Sequence, residues 1–202
     1  MVVESQIARE AIDERPVGHA RRFVSKGPFS PTAEMSQQMA GRRIFIRFAQ
    51  ASDTERLLRD QVITGPSPTR ETWNQRVVKW LSEQRSGRRF ILIAEDETGL
   101  LGMVQLVMKL PLGYDDPEAA NGMDIAMMEG LRTRADAPAE VGNELVGEVQ
   151  KLAMKRNIKT LTFCLPMNNS RAIYQARTWG FEEFRIMAEP TKMLAFFRKS
   201  IE

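Results

Sequence analysis

The chain has 202 residues, 43% hydrophobic and 27% charged, which is enough apolar material for one ordinary domain with a full core and leaves room for an extra arm. Its 29 basic and 26 acidic residues are mixed along the chain, so the net charge of +3 reads as solvated surface and argues against a specific nucleic-acid footprint. The single Cys excludes an internal disulfide, no apolar run reaches the ~18–20 residues of a membrane helix, and the acidic N-terminus lacks a leader-like block, so a cytoplasmic protein is expected.

Residues 1–42 stand apart. A short helix over the first 15 residues would end at Pro16, and the stretch that follows carries three Pro and three Gly, which predicts an irregular arm. Its basic cluster, Arg21, Arg22 and Lys26, reads as solvated charge. From residue 43 the pattern becomes periodic. "RIFIRFAQ" alternates as a strand, and "SDTERLLRDQVI" starts a helix that Ser52 or Asp53 could cap. In the next helix Trp73, Val77, Trp80, Leu81 and Gln84 share a face, and Gly87 ends it.

"RRFILIAEDETGLLGMVQLVMKLP" reads as two strands joined by a tight turn near Gly99. An acidic loop leads to a further strand, "MDIAMMEGLRTR". "APAEVGNELVGEVQKLAMKRN" is an amphipathic helix with Val141, Leu145, Val149, Leu152 and Ala153 on one side. A strand, "IKTLTFCLP", a helix, "NNSRAIYQARTWG", and two final strands complete the chain. The order β-α-α-β-β-β-α-β-α-β-β predicts an α/β (α+β) domain over 43–202, a single mixed, mostly antiparallel sheet flanked by helices on both faces.

That order, together with "NNSRAIYQARTWGFEE", resembles the GNAT superfamily of acyl-CoA-dependent N-acyltransferases over roughly residues 43–199. The family pattern Asn-x-x-Ala-Ile-x-x-Tyr-x-x-x-Gly-Phe is matched by Asn169, Ala172, Ile173, Gly180 and Phe181. Read as bare physics, the same stretch is a capped helix with Gly180 as a left-handed C-cap that returns Phe181 to the core. The resemblance implies a GNAT-like fold and an acyl-CoA co-substrate, acetyl-CoA or another acyl-CoA. It places that co-substrate against Met127 and Leu131 of the strand before the central helix, whose backbone would assist the oxyanion. Val141, Gly142 and Asn143 of the central helix, and Asn169 and Ala172 of the next one, are its other expected contacts.

Two positions depart from the pattern. The tyrosine that commonly protonates the departing CoA thiolate is replaced by Ala176, and Tyr174, two residues away, is rotated by ~200° to the opposite helix face. The phosphate loop, (Arg/Gln)-x-x-Gly-x-(Gly/Ala) in the family, falls on Ala137–Gly142, where only Gly142 matches. Pro138 lacks an N–H, and Glu140 would bring a carboxylate to the pyrophosphate. As a helix start the stretch is sound, with Asp136 as cap.

Glu129 is the expected catalytic residue. It shares strand parity with Met123, Ile125, Met127 and Leu131, and desolvation on such an apolar face raises a carboxylate's pKa toward base duty. A bulge could turn it outward, and a satisfied structural acid is the alternative to a catalytic one. Asp115, Asp116, Glu118 and Asp124 could attract a cationic amine or merely form a solvated loop. Cys164 reads as a buried, inert thiol lining the cleft. His19, the only histidine, lies in the arm, and no metal-ligand cluster is present, so no metal is expected. Acyl transfer to an amine, small or on a protein, is thus one reading, with a homodimer left open. A non-catalytic GNAT-like binding module, or an enzyme using another acyl carrier, is the other.

Overall fold

The computed structural model describes residues 43–60, 62–63, 70–110 and 116–201; the expected arm with His19, Arg21, Arg22 and Lys26 lies outside them, as does Asp115. The described elements follow the expected order: β1 (Phe45–Phe48), α1 (Asp53–Arg59), α2 (Arg70–Arg85), β2 (Arg89–Asp96), β3 (Gly99–Val107), β4 (Ile125–Thr133), α3 (Glu140–Lys155), β5 (Thr160–Pro166), α4 (Ser170–Thr178), β6 (Glu182–Glu189) and β7 (Lys192–Ser200). The seven strands form one sheet in the order β1-β2-β3-β4-β5-β7-β6. Only β4 and β5 are parallel, as the crossover through α3 requires.

Strand periodicity divides the apolar residues between the two faces. Phe90, Leu92 and Ala94 of β2 and Ala126 and Met128 of β4 pack with Val141, Leu145 and Val149 of α3 and with Ala176 of α4. Ile91 and Ile93 point the other way, into a second core with Leu57 of α1 and Trp73 and Val77 of α2. Gln84 stands on the α2 face expected of it. Its amide donates to the Ala49 carbonyl at 3.1 Å and accepts from the Ile91 N–H at 2.9 Å, tying α2 to the sheet edge.

The helix ends differ from expectation in two places. Neither Ser52 nor Asp53 caps α1: Asp53 is turned inward, 1% exposed, and binds Arg47 through both oxygens and the Gln50 N–H at 2.8 Å. Asp136 does not cap α3. The helix begins later, at Glu140 after Ala139, and Asp136 pairs with Arg134 instead. At α4 the expected devices are present. The Asn169 side chain accepts from the Ala172 N–H at 3.2 Å, and Gly180, at φ +83°, lets the Phe181 N–H reach the Ala176 carbonyl at 3.1 Å. Phe181 is thereby buried against Phe163.

Candidate functional site

β4 and β5 pair from Ile125–Thr160 to Met128–Phe163 and no further, although β4 runs on to Thr133 and β5 to Pro166. Strands that stop pairing while both continue leave a gap whose backbone groups face one another without a ladder. A cavity of about 780 Å³ sits at this gap, on the face covered by α3 and α4. Leu131, Phe163 and Leu165 form its apolar wall, and the N-terminal turns of both helices reach it, through Gly142 and Asn143 and through Asn169 and Ala172. Crevices at the carboxyl ends of parallel strands, next to helix N-termini, suit anionic ligands. The C-terminal end of α4 is tied back across the cavity by the Trp179 indole N–H, which donates to Asn143 Oδ1 at 2.8 Å.

Of the seven expected co-substrate contacts, Leu131, Gly142, Asn143, Asn169 and Ala172 line this cavity together. Val141 does not; it is fully buried in the core beneath. Met127 does not either, because it lies on the opposite face of the sheet with Ala119, Leu194 and Phe196. Glu140 is exposed at the helix start, next to Ala139 of the cavity wall but not itself part of it. Three arginines that sequence reasoning passed over, Arg132, Arg134 and Arg171, line the cavity instead. The signal for them is weak but readable: an Arg-x-Arg after the last apolar residue of β4, and an Arg in the first turn of α4.

The strand also changes face at the gap. The β3–β4 register shifts between Met103 and Gln105, and Gly130 takes φ +62°, a bulge that only glycine adopts without strain. A Cβ there would stand 3.0 Å from the Gln105 amide nitrogen. The bulge breaks the expected parity. Leu131 joins the α3 face, while Glu129 stays on the other side with Met127.

Glu129 is not desolvated as expected. Its side chain is 50% exposed, and it accepts a 2.8 Å bond from the guanidinium of Arg89, which is itself only 5% exposed. Arg89 also donates to Glu83 at 2.6 Å and to the buried Gln105 amide, and stacks over Trp80. The pair thus offers a solvent-facing carboxylate on a fixed cation.

Cys164 follows Phe163, the last β5 residue paired to β4, and packs on the Glu129 face near Met127. Burial pushes its thiol up to about 11, with Glu189 and Glu129 adding to the shift and Lys192 and Arg185 opposing it. It is therefore protonated and a poor nucleophile near neutrality. The acidic loop is largely spoken for. Arg185 binds Asp116 and Glu118 while lying over Phe196, and Asp124 accepts from Asn121 at 2.7 Å. Tyr174 is 70% exposed and Ala176 is fully buried, so no phenol stands at the family's acid position. No group of three His, Cys, Asp or Glu among the described residues is placed to hold a metal ion. A second cavity, of about 640 Å³ beside Phe184 and Arg198, has acids and bases mixed in its wall.

No protein-family profile matches the chain, and no curated protein matches it in sequence. Solved structures do. An N-acetyltransferase from Staphylococcus aureus superposes with a TM-score of 0.62 at 16% identity, covering 79% of this chain and 99% of that one. A ribosomal-protein-alanine N-acetyltransferase from Brucella melitensis gives 0.60 at 21% identity over 77% and 99%. A protein described as an acetyltransferase from Salmonella typhimurium, solved with its cofactor acetyl-CoA, gives 0.60 at 13% identity over 79% and 94%. The fold is the GNAT fold. At these identities the likeness extends to the fold and no further. Spermidine/spermine N-acetyltransferase from Vibrio cholerae, in complex with manganese ions, shares it at 11% identity with a TM-score of 0.59, over 79% of this chain and 93% of that one.

Proposed function

We propose that this protein is an N-acyltransferase that moves an acyl group, acetyl as the expected one, from an acyl-CoA to an amine. The observation that carries the reading is the break between β4 and β5, with an anion-suited cavity on one face and the Glu129 carboxylate on the other. A GNAT structure holding acetyl-CoA supports the donor, and neighbours named for ribosomal-protein alanine and for spermidine support an amine acceptor, small or on a protein.

In this reading the amine nitrogen attacks the thioester carbonyl from the Glu129 face. Glu129 takes the amine proton, directly or through one water. The C–S bond breaks, and the thiolate takes its proton from water, since Ala176 supplies none. Arg89 holds the Glu129 carboxylate in place. Met127 to Leu131 contribute backbone on the oxyanion side. Residues 43–202 form the acyltransferase domain and residues 1–42 an arm for a partner or for a second copy in a homodimer. The single Cys fits a cytoplasmic setting.

Calorimetric titration with acetyl-CoA, followed by thiol release on a panel of polyamines and peptides with free N-termini, tests the reading. Saturable binding and amine-dependent thiol release are expected. The buried Ala176 and exposed Tyr174 favour a rival, a non-catalytic binding module. Binding without turnover on any amine would select that rival, and a failure to bind any acyl-CoA would remove the acyl-CoA donor and leave a module for another ligand or partner, or an enzyme using another acyl carrier.

A further inference from the structure

The Gly130 bulge has a second effect on β4. Glu129 pairs with Gln105 and Arg132 with Met103, so a three-residue step along β4 matches a two-residue step along β3. In a regular strand, residues three apart point to opposite faces. Here both take the face of their partners. Met103 belongs to the core under α1 and α2, and Gln105, two residues on, shares that face and receives Arg89. Arg132 therefore becomes a same-face neighbour of Glu129, ~7 Å along the strand, the span of two extended residues. The unpaired end of β4 edges the cavity, which brings Arg132 to its wall, while the register sends the side chain to the Glu129 face.

The charges on this face are unevenly committed. Glu129 is bonded to Arg89, and Arg89 also to Glu83. The acidic loop, expected from sequence as an attractor for a cationic amine, has its Asp116 and Glu118 carboxylates on Arg185. At the turn between β6 and β7, Lys192 binds Glu189. Arg132 is exposed and has no hydrogen-bond or ion-pair partner among the described residues. Acids that already hold cations have little left for a polyamine, and the free charge next to Glu129 is positive.

We infer that the acceptor is an α-amino acid, and that Arg132 takes its carboxylate while its amine meets Glu129. The inference rests on the acyl-transfer reading above and names the acceptor class within it. An α-amino acid carries both charges on one carbon, within reach of two long side chains whose backbones stand ~7 Å apart. The guanidinium fork donates two parallel N–H bonds to a carboxylate, which orients the amine as well as binding the molecule. The ammonium first gives one proton to solvent. The neutral amine then attacks the thioester carbon, the N–C bond forms and the C–S bond breaks. Glu129 takes the second proton, and the thiolate takes one from water.

The test uses the full chain with acetyl-CoA and reads thiol release. The acceptors are the common L-amino acids, their carboxamides, which keep the amine and lose the anion, and spermidine. The variants are Arg132→Ala, Arg132→Lys and, as a control, Arg177→Ala, an exposed charge on α4 that does not line the cavity. Thermal melts check that each variant is folded. At least one L-amino acid should turn over with kcat/KM ~10-fold or more above its carboxamide and above spermidine, the scale of one charged hydrogen-bonded contact. Arg132→Ala should erase that preference by raising KM for the amino acid, with the carboxamide within about twofold of the parent. Arg132→Lys should keep part of it, because the charge remains and the fork is lost. Arg177→Ala should leave both acceptors within about twofold, because an uninvolved exposed charge is well screened.

Turnover of spermidine with no amino acid reacting would overturn the inference and keep the acyl-transfer reading. So would an unchanged preference in Arg132→Ala, or a loss that falls equally on amino acid and carboxamide, which would make Arg132 structural. Calorimetric binding of acetyl-CoA with no turnover on any acceptor would remove acyl transfer and the inference together.

Discussion

Two corners of the sheet use arginine in opposite ways. Where β1, β2 and α1 meet, Arg47 and Arg56 clasp Asp53 and Glu95 at 2.7 to 3.1 Å, and Asp53 is 1% exposed. Every charge there has a partner. At the β4–β5 break, Arg171 of α4 stands at a cavity with no carboxylate among the described residues of its wall. A closed network of ions leaves nothing over for a ligand, whereas an exposed cation without a carboxylate beside it is free to meet one. Arg89 with Glu129 lies between these cases, a buried cation on a carboxylate that still meets solvent.

The comparison breaks first at Asp53. Its burial alone would raise its pKa, but the Arg47 bonds and the Gln50 N–H outweigh that and leave it below the usual carboxylate value. Stability from this group is therefore full above the unfolded pKa of about 3.9 and is lost as pH falls through the lower folded value. Asp53→Asn should cost about 1–3 kcal/mol in denaturant unfolding, because it removes the buried carboxylate that Arg47 and Arg56 share while both keep Glu95. It should also flatten the acid side of the stability curve; a loss below about 1 kcal/mol would show that the network is only surface charge.

Glu129→Gln comes next. It keeps the shape and should lower turnover by ~100-fold while changing acetyl-CoA binding little. Normal turnover in the folded variant would make the Arg89 pair purely structural. Cys164 gives a smaller, pH-dependent reading. With its thiol at about 11, alkylation at pH 8 should run ~100-fold slower than for an ordinary thiol and rise about tenfold per pH unit toward that value. Glu140→Gly should tighten donor binding, because it takes a carboxylate from beside the cavity; unchanged affinity would show that the charge does not reach the donor. Tyr174→Phe should change turnover by no more than about twofold, as an exposed position away from the cavity usually does.

Element order was readable from the sequence because β1 alternates, β2 and β3 are apolar runs about a turn, α3 keeps helical spacing, and Asn169 and Gly180 mark α4 with side-chain and backbone chemistry of their own. The cofactor side of the gap was partly readable for the same reason, since Asn169 and Ala172 sit in a fixed helical register. The other side was hidden by one residue. Parity counted through Gly130 puts Leu131 and Glu129 on one face, and the bulge puts them on two. Asp53 and Asp136 were read as caps because an acid before a helix usually is one. Arg47, six residues upstream of Asp53, and Arg134, two residues upstream of Asp136, took them instead, a competition between cap and ion pair that residue type alone does not decide.

Trp179 turns the cavity into its own optical probe. Its indole is hydrogen-bonded to Asn143 at the cavity wall, while Trp73 is sealed in the other core and Trp80 packs beside it on the opposite face. Emission from Trp73 forms a background and Trp80 lies under Arg89 beside Glu129, so a change in intrinsic fluorescence on adding a donor that persists in Trp80→Phe would come from Trp179. Trp179→Phe would silence that signal and loosen the α3–α4 tie in the same step, separating what the ring reports from what it holds.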